Sequence, residues 1–268
     1  MHMLPRVHEL RATAREWWEG TRAADFWLTL AWYDISLRYR GSFLGPWWIT
    51  LSMGIMIMGL GPLYSTIFDI SMSTFFPYVT LGLIFWGFIS TTITDGCACI
   101  AGAGNFLKQS PFPPSAFVWR IIAKHVMFTA HHFVIFIPVA IWAGITPNWH
   151  TLAFIPGFVI VTLTLHALAT ILGILCARFQ DITQVVASTM QMLMFLTPVF
   201  WYPEGRVAVA KRLIYNPLYY LLELMRRPLL GEPLEPVFWI VGGSMCVACV
   251  VAALLLTAAK RRQLVYWI

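Results

Sequence analysis

Charge is what this sequence of 268 residues has least of. Only 11% of its residues are Asp, Glu, Lys or Arg, against about 25% in soluble domains. Its 12 acids and 18 bases cannot cover the surface of a soluble protein of this length. Between residues 41 and 117 the charges are Asp69, Asp95 and Lys108, and from 121 to 177 there is Lys124 alone. The centres of the apolar runs have no Asp or Glu. That excludes an ion-coupled pump or a membrane enzyme that works through intramembrane carboxylates. No acidic cluster is present for metal-assisted glycosyl transfer. There is no Gly-x-x-x-x-Gly-Lys-Ser/Thr run, so this chain cannot cradle ATP phosphates by itself. The five cysteines form no extracellular disulfide framework. Cys97, Cys99 and Cys176 lie near the ends of apolar runs, and the Cys246/Cys249 pair has no second pair to complete a zinc site. All read as small residues between packed helices. A cleavable signal peptide is not expected, because the first long apolar run begins only near Phe43.

What fills the sequence instead is apolar. Hydrophobic residues make up 59% of the chain, against roughly 45–50% in soluble domains. Soluble, disordered and disulfide-rich secreted classes fall away, leaving a multi-span membrane protein. A bilayer core needs about 20 apolar residues per helix. Six stretches qualify, at 44–68, 76–94, 117–145, 152–177, 182–202 and 237–259. Arg120 and Lys124 open the overlong third stretch and are expected to snorkel to the interface. Thr197-Pro198 interrupts the fifth, which reads as a full span or as a broken, re-entrant helix.

The basic flanks set the orientation. Arg6, Arg11, Arg15, Arg22, Arg38 and Arg40 precede the first span, and Lys260, Arg261 and Arg262 follow the last. Six spans put both termini on the cytoplasmic side, as the positive-inside rule requires. Residues 203–236 then lie outside despite Arg206, Lys211, Arg212, Arg226 and Arg227, a conflict that charge counting leaves open. Net charge of +6 calls for membrane headgroups and no nucleic acid. Residues 1–42 carry two amphipathic stripes: Val7, Leu10, Ala14 and Trp17, then Phe26, Leu30, Tyr33 and Leu37. They read as interface helices, with Gly20 ending the first and Thr21 capping the second. Asn216-Pro217 predicts a helix start and a short amphipathic helix on the outer surface. Residues 43–259 are expected to form the six-span transmembrane region and 260–268 a cytoplasmic tail.

Two residue classes remain as candidates for function. His125, His131, His132 and His166 supply imidazoles for a metal, a proton path, or hydrogen bonds into a wet cavity. The rings are more abundant: 13 Trp, 19 Phe and 9 Tyr. Tyr64, Phe68, Tyr78, Phe85 and Trp86 crowd the first two spans, and Phe200, Trp201 and Tyr202 the end of the fifth. Lipid-facing belts account for many such residues. The sharper reading is a passage walled by rings. A sugar polymer cannot cross hydrocarbon, since each unpaired hydroxyl costs roughly 2–7 kcal/mol, whereas rings offer apolar faces and polar edges.

Four stretches together resemble the membrane subunits of ABC-2-type polysaccharide exporters. They are Leu37-Arg38-Tyr39-Arg40-Gly41-Ser42-Phe43-Leu44-Gly45-Pro46-Trp47-Trp48; Asn105-Phe106-Leu107-Lys108 with Phe112-Pro113; Phe179-Gln180-Asp181-Ile182 leading to Phe195-Leu196-Thr197-Pro198-Val199; and Asn216-Pro217-Leu218 with Leu229-Leu230-Gly231. The resemblance implies an all-α integral membrane fold of six transmembrane helices, with an N-terminal amphipathic interface helix, a cytoplasmic coupling helix and short extracytoplasmic gate helices. It implies a homodimer in the bacterial inner membrane that works with two copies of a separate ABC ATPase. ATP and Mg would belong to that partner, and no cofactor to this chain. It also places residues 203–236 outside. On this footing Asn105 and Lys108 are expected to touch the ATPase, and Arg38 and Arg40 to meet the pyrophosphate of a lipid-linked glycan such as O-antigen, capsule or teichoic acid. Ala169, Gly173 and Ala177 read as a packing stripe. The alternatives are an exporter of a small lipid or drug in the same superfamily, and a membrane glycan-processing enzyme.

Overall fold

The computed structural model describes residues 7–104, 113–203 and 213–267, and the regular structure among them is helical. Helices α1 (Val7–Arg22) and α2 (Ala24–Arg38) precede α3 (Trp47–Phe68) and α4 (Met72–Ala98). Then come α5 (Pro114–Trp142), α6 (Phe154–Arg178), α7 (Ile182–Leu196), α8 (Pro217–Leu229) and α9 (Pro236–Trp267). Five of these, α3, α4, α5, α6 and α9, are long and apolar enough to cross a membrane.

Helix α4 is apolar on every side, which is why it is the hub. It packs on α3, α5, α6, α7 and α8, and 78% of its span is buried. For α3 that share is 17%, so most of its surface faces outward. Close packing of α4 on α6 depends on small residues: Gly96 of α4 sits against Ala169, and a side chain there would collide with it. The stripe Ala169, Gly173 and Ala177 is thus a packing seam.

The fifth predicted span takes the broken form. Helix α7 has 15 residues, about 22 Å at 1.5 Å per residue, short of a core of about 30 Å. Thr197 is extended, as a residue before proline prefers, and Pro198 ends the helix. The chain nevertheless changes ends here. Helix α7 starts where α6 finishes, and Val199 beyond it touches Gly82, in the third turn of α4. Helix α9 then returns, so its last turns meet α1.

Two local expectations need correction. Gly20 does not stop α1, which runs on to Arg22; the glycine lets α1 press against Ser115 of α5. Thr21 does not cap α2: its hydroxyl donates to the Trp17 carbonyl. Residues 260–267 continue α9 as helix. The predicted start of α8 matches, with the Asn216 side chain accepting from the Leu218 amide at 3.0 Å. That helix does not lie on the surface, however. Its residues from Tyr220 to Arg226 are buried among α4, α6 and α9.

Candidate functional site

Three constellations of polar and aromatic groups interrupt the apolar bundle. The first clasps α1 and α2 to the start of α5. The Arg120 guanidinium donates through Nε to Asp34 of α2 at 2.7 Å and through Nη2 to the other carboxylate oxygen. Trp119 donates to the Thr21 hydroxyl at 3.0 Å and stacks on Trp27. Ser115 donates to the Glu16 carbonyl, and Glu16 pairs with Arg261 of α9. His166 of α6 is buried, with the rings of Trp17 and Trp119 at 4.9 and 4.7 Å. The first turns of α5 therefore hold both N-terminal helices, directly after residues 105–112.

The second is a cavity of about 560 Å³ between the end of α2 and helices α3, α4 and α5. Asp95, near the end of α4, accepts from Lys124 at 2.7 Å, and His125 is 3.0 Å from the same oxygen. Arg120 and Lys124 do not snorkel: both are taken up by carboxylates on neighbouring helices. His132 and Arg38 also line this space. Burial raises the Tyr39 phenol pKa above its ordinary value against the pull of Arg38.

The third lies at the far end, where the fully buried Arg226 ties α8 to two other elements. It donates to the Pro198 carbonyl at 2.7 Å and to the Tyr78 hydroxyl at 2.8 Å, and it pairs with Glu223 one turn earlier. Burial alone would favour the neutral side chain, but the adjacent Glu223 carboxylate outweighs it and raises the Arg226 pKa. Arg227 lies 3.6 Å from Glu223 and 3.5 Å from Glu235. Two of the five bases that broke the charge rule are thus neutralised by their own acids.

The predicted rings divide into two sets. Tyr64, Phe68, Phe75, Tyr78 and Tyr202 form a run with centroids 4.7–6.3 Å apart, and Phe200 joins it at Tyr64. Trp201 sits beside them, its indole donating to the Phe195 carbonyl. Phe85 and Trp86 are not part of this run. Both are buried in the core, Phe85 against Phe133 and Phe154, and so are Tyr78 and Phe200 of the predicted set, whereas Tyr64, Phe68, Trp201 and Tyr202 stay partly exposed. The four histidines do not converge: His125 and His132 line the cavity, His131 lies against Trp47, and His166 is between tryptophans. No group of metal-holding side chains occurs among the described residues. All five cysteines are free thiols. Asn105 and Lys108 lie outside the described residues. The Arg226–Glu223–Tyr78 network escaped sequence reading, although an Arg three residues after a Glu was its available signal.

By family this is the membrane subunit of a transporter. The chain matches the ABC-2 type transporter family over residues 26–230 and is a member of it. It is also 26% identical over 204 residues, covering 73% of this chain and 76% of the other, to the O-antigen export system permease protein RfbA of Myxococcus xanthus.

Proposed function

We propose that the chain is the permease subunit of an ABC exporter that carries a lipid-linked polysaccharide across the bacterial inner membrane. The observation that carries the polymer reading is the likeness, over about three quarters of both chains, to an O-antigen export permease. The rings of Tyr64, Phe68 and Tyr202 at the far end support it, since they keep part of their surface open there, while Phe75 and Tyr78 back them from the core. Family membership implies a partner ATPase, which would supply the ATP and Mg chemistry. Two copies of this chain would meet across a shared passage, with both termini cytoplasmic and α7 completing a sixth crossing together with the turn at Pro198.

The clasp suggests how force enters. A push on residues 105–112, with Asn105 and Lys108 as the contacts, would move the start of α5 and carry α1 and α2 with it. Of the two predicted headgroup arginines, Arg40 stays on the exposed turn after α2 and is the one we assign to the glycan pyrophosphate. Guanidinium and phosphate pair well there.

Deleting the chain in its source bacterium tests the reading. Lipid-linked glycan should accumulate inside while surface polysaccharide disappears. Normal surface polysaccharide would overturn it. Loss of a small lipid from the outer layer, with the polymer intact, would support the small-lipid alternative instead.

A further inference from the structure

We propose that the cavity between α2, α3, α4 and α5 holds the headgroup of a zwitterionic phospholipid with a primary amine, its phosphate against Arg38 and its ammonium against Asp95. The two charged walls carry opposite signs. Arg38 has no ion pair among the described residues; Arg11, Arg22, Arg40 and Arg178 also have none, but of these Arg38 alone lines the cavity. Its planar fork suits a phosphate. Asp95 spends one oxygen on Lys124 and His125 and leaves Oδ1 without a donor among the described residues, with its side chain 44% exposed.

A bare anion would meet the Asp95 carboxylate, and a simple cation would meet Arg38. A headgroup carrying phosphate and ammonium together satisfies both walls and brings no net charge into the bundle. His132 also lines the cavity, at 8% exposure, and gives it a polar side beside Thr129. Ionisable groups inside spans are expensive enough to be functional by default.

The remaining lining fits a lipid better than a free phosphoester. Met53, Phe88 and Phe128 give the cavity an apolar side, which suits the start of an acyl chain. Its volume of about 560 Å³ falls in the range of small-molecule sites, about 300–1,000 Å³. Thr91 and Asp95 favour a primary ammonium, because a trimethylated one has no N–H to donate.

The test uses the permease–ATPase complex, stripped of lipid in detergent and titrated with phosphatidylethanolamine, phosphatidylcholine or phosphatidylglycerol of identical chains. Bound lipid is counted by native mass spectrometry. Phosphatidylethanolamine should bind at least ten-fold more tightly than the other two. Asp95→Asn should erase its advantage over phosphatidylcholine, and Arg38→Gln should weaken all three. Asp95→Asn also disturbs Lys124, so Ser52→Trp, an exposed lining position, provides a second route. It should abolish selective binding while thermal unfolding stays unchanged. Equal binding of the three lipids, or preference for phosphatidylglycerol, overturns the proposal. So does competition by glycerophosphoethanolamine as strong as by the whole lipid, which would mark a soluble phosphoester site. Displacement by a short polyprenyl diphosphate at equal concentration also overturns it, because the cavity would then belong to the transported lipid. None of these outcomes bears on whether polysaccharide is exported.

Discussion

Arg226→Met removes the cation that joins α8 to α4 and to the Pro198 turn. The Glu223 carboxylate, 3% exposed, then remains buried, and Arg227 at 3.6 Å is its nearest charge. Breaking a buried pair from one side costs about 3–5 kcal/mol. The Tyr78 hydroxyl loses its donor in the same step, and the Pro198 carbonyl is left with the longer bond from Tyr78 at 3.2 Å, so the upper half of that range is expected. At 1.4 kcal/mol per decade this is about three to three and a half decades in the unfolding equilibrium. The assay is SDS-driven unfolding of the purified permease in mixed micelles, followed by tryptophan fluorescence. Adding Glu223→Gln to the variant should recover at least half of the loss, because the stranded charge is gone. Tyr78→Phe alone forfeits the bond from the charged Arg226, about 1.5–3 kcal/mol, together with those its hydroxyl directs at the Pro198 and Trp201 carbonyls. A variant within about 1 kcal/mol of the parent, or a double variant worse than Arg226→Met, would refute the assignment of Arg226 as the link between α8 and the bundle.

Other substitutions separate structural from functional roles. Trp86→Ala should lower stability by about 3–5 kcal/mol, whereas Tyr64→Ala should slow glycan export several-fold with assembly intact, both read in the same strain. Unchanged export in Tyr64→Ala would remove the ring passage. Arg120→Gln should cost only about 1 kcal/mol, since its pair with Asp34 is partly exposed, yet transport per ATP hydrolysed should fall several-fold. The charge swap Asp34→Arg with Arg120→Asp should restore part of that coupling, and full coupling in Arg120→Gln would contradict the clasp. His166→Ala leaves Trp17 and Trp119 without the ring between them, so limited proteolysis within α1 should accelerate several-fold. Gly82→Val forces the Val199 carbonyl away from α4 and should cost about 1–3 kcal/mol by overpacking, measured by thermal unfolding.

The long helices were legible because a bilayer demands continuous apolar runs, and each of the five long helices falls within a few residues of a run that the hydropathy marks. The first turns of α8 were legible for a local reason, the Asn216 cap with Pro217 at the first helical position. Its burial was not. Glu223, Arg226 and Arg227 look like a solvated face until the fold pairs them internally, and that pairing depends on Tyr78, 148 residues from Arg226. Arg120 and Lys124 misled for a related reason. Basic residues opening a span normally reach for headgroups, but Asp34 and Asp95 lie on helices that only tertiary structure brings near. The rings of Phe85 and Tyr64 cannot be told apart in one dimension, because which side of α3 or α4 faces a passage is set by packing. Family resemblance supplied the partner ATPase, which no residue here could reveal.

The most direct measurement reconstitutes this chain in vesicles loaded with a lipid-linked glycan, alone and together with its ATPase, and follows the glycan across the bilayer. Movement should require the ATPase and ATP, with none from the chain by itself. Net transport against a gradient by the isolated subunit would contradict a passive passage driven from outside.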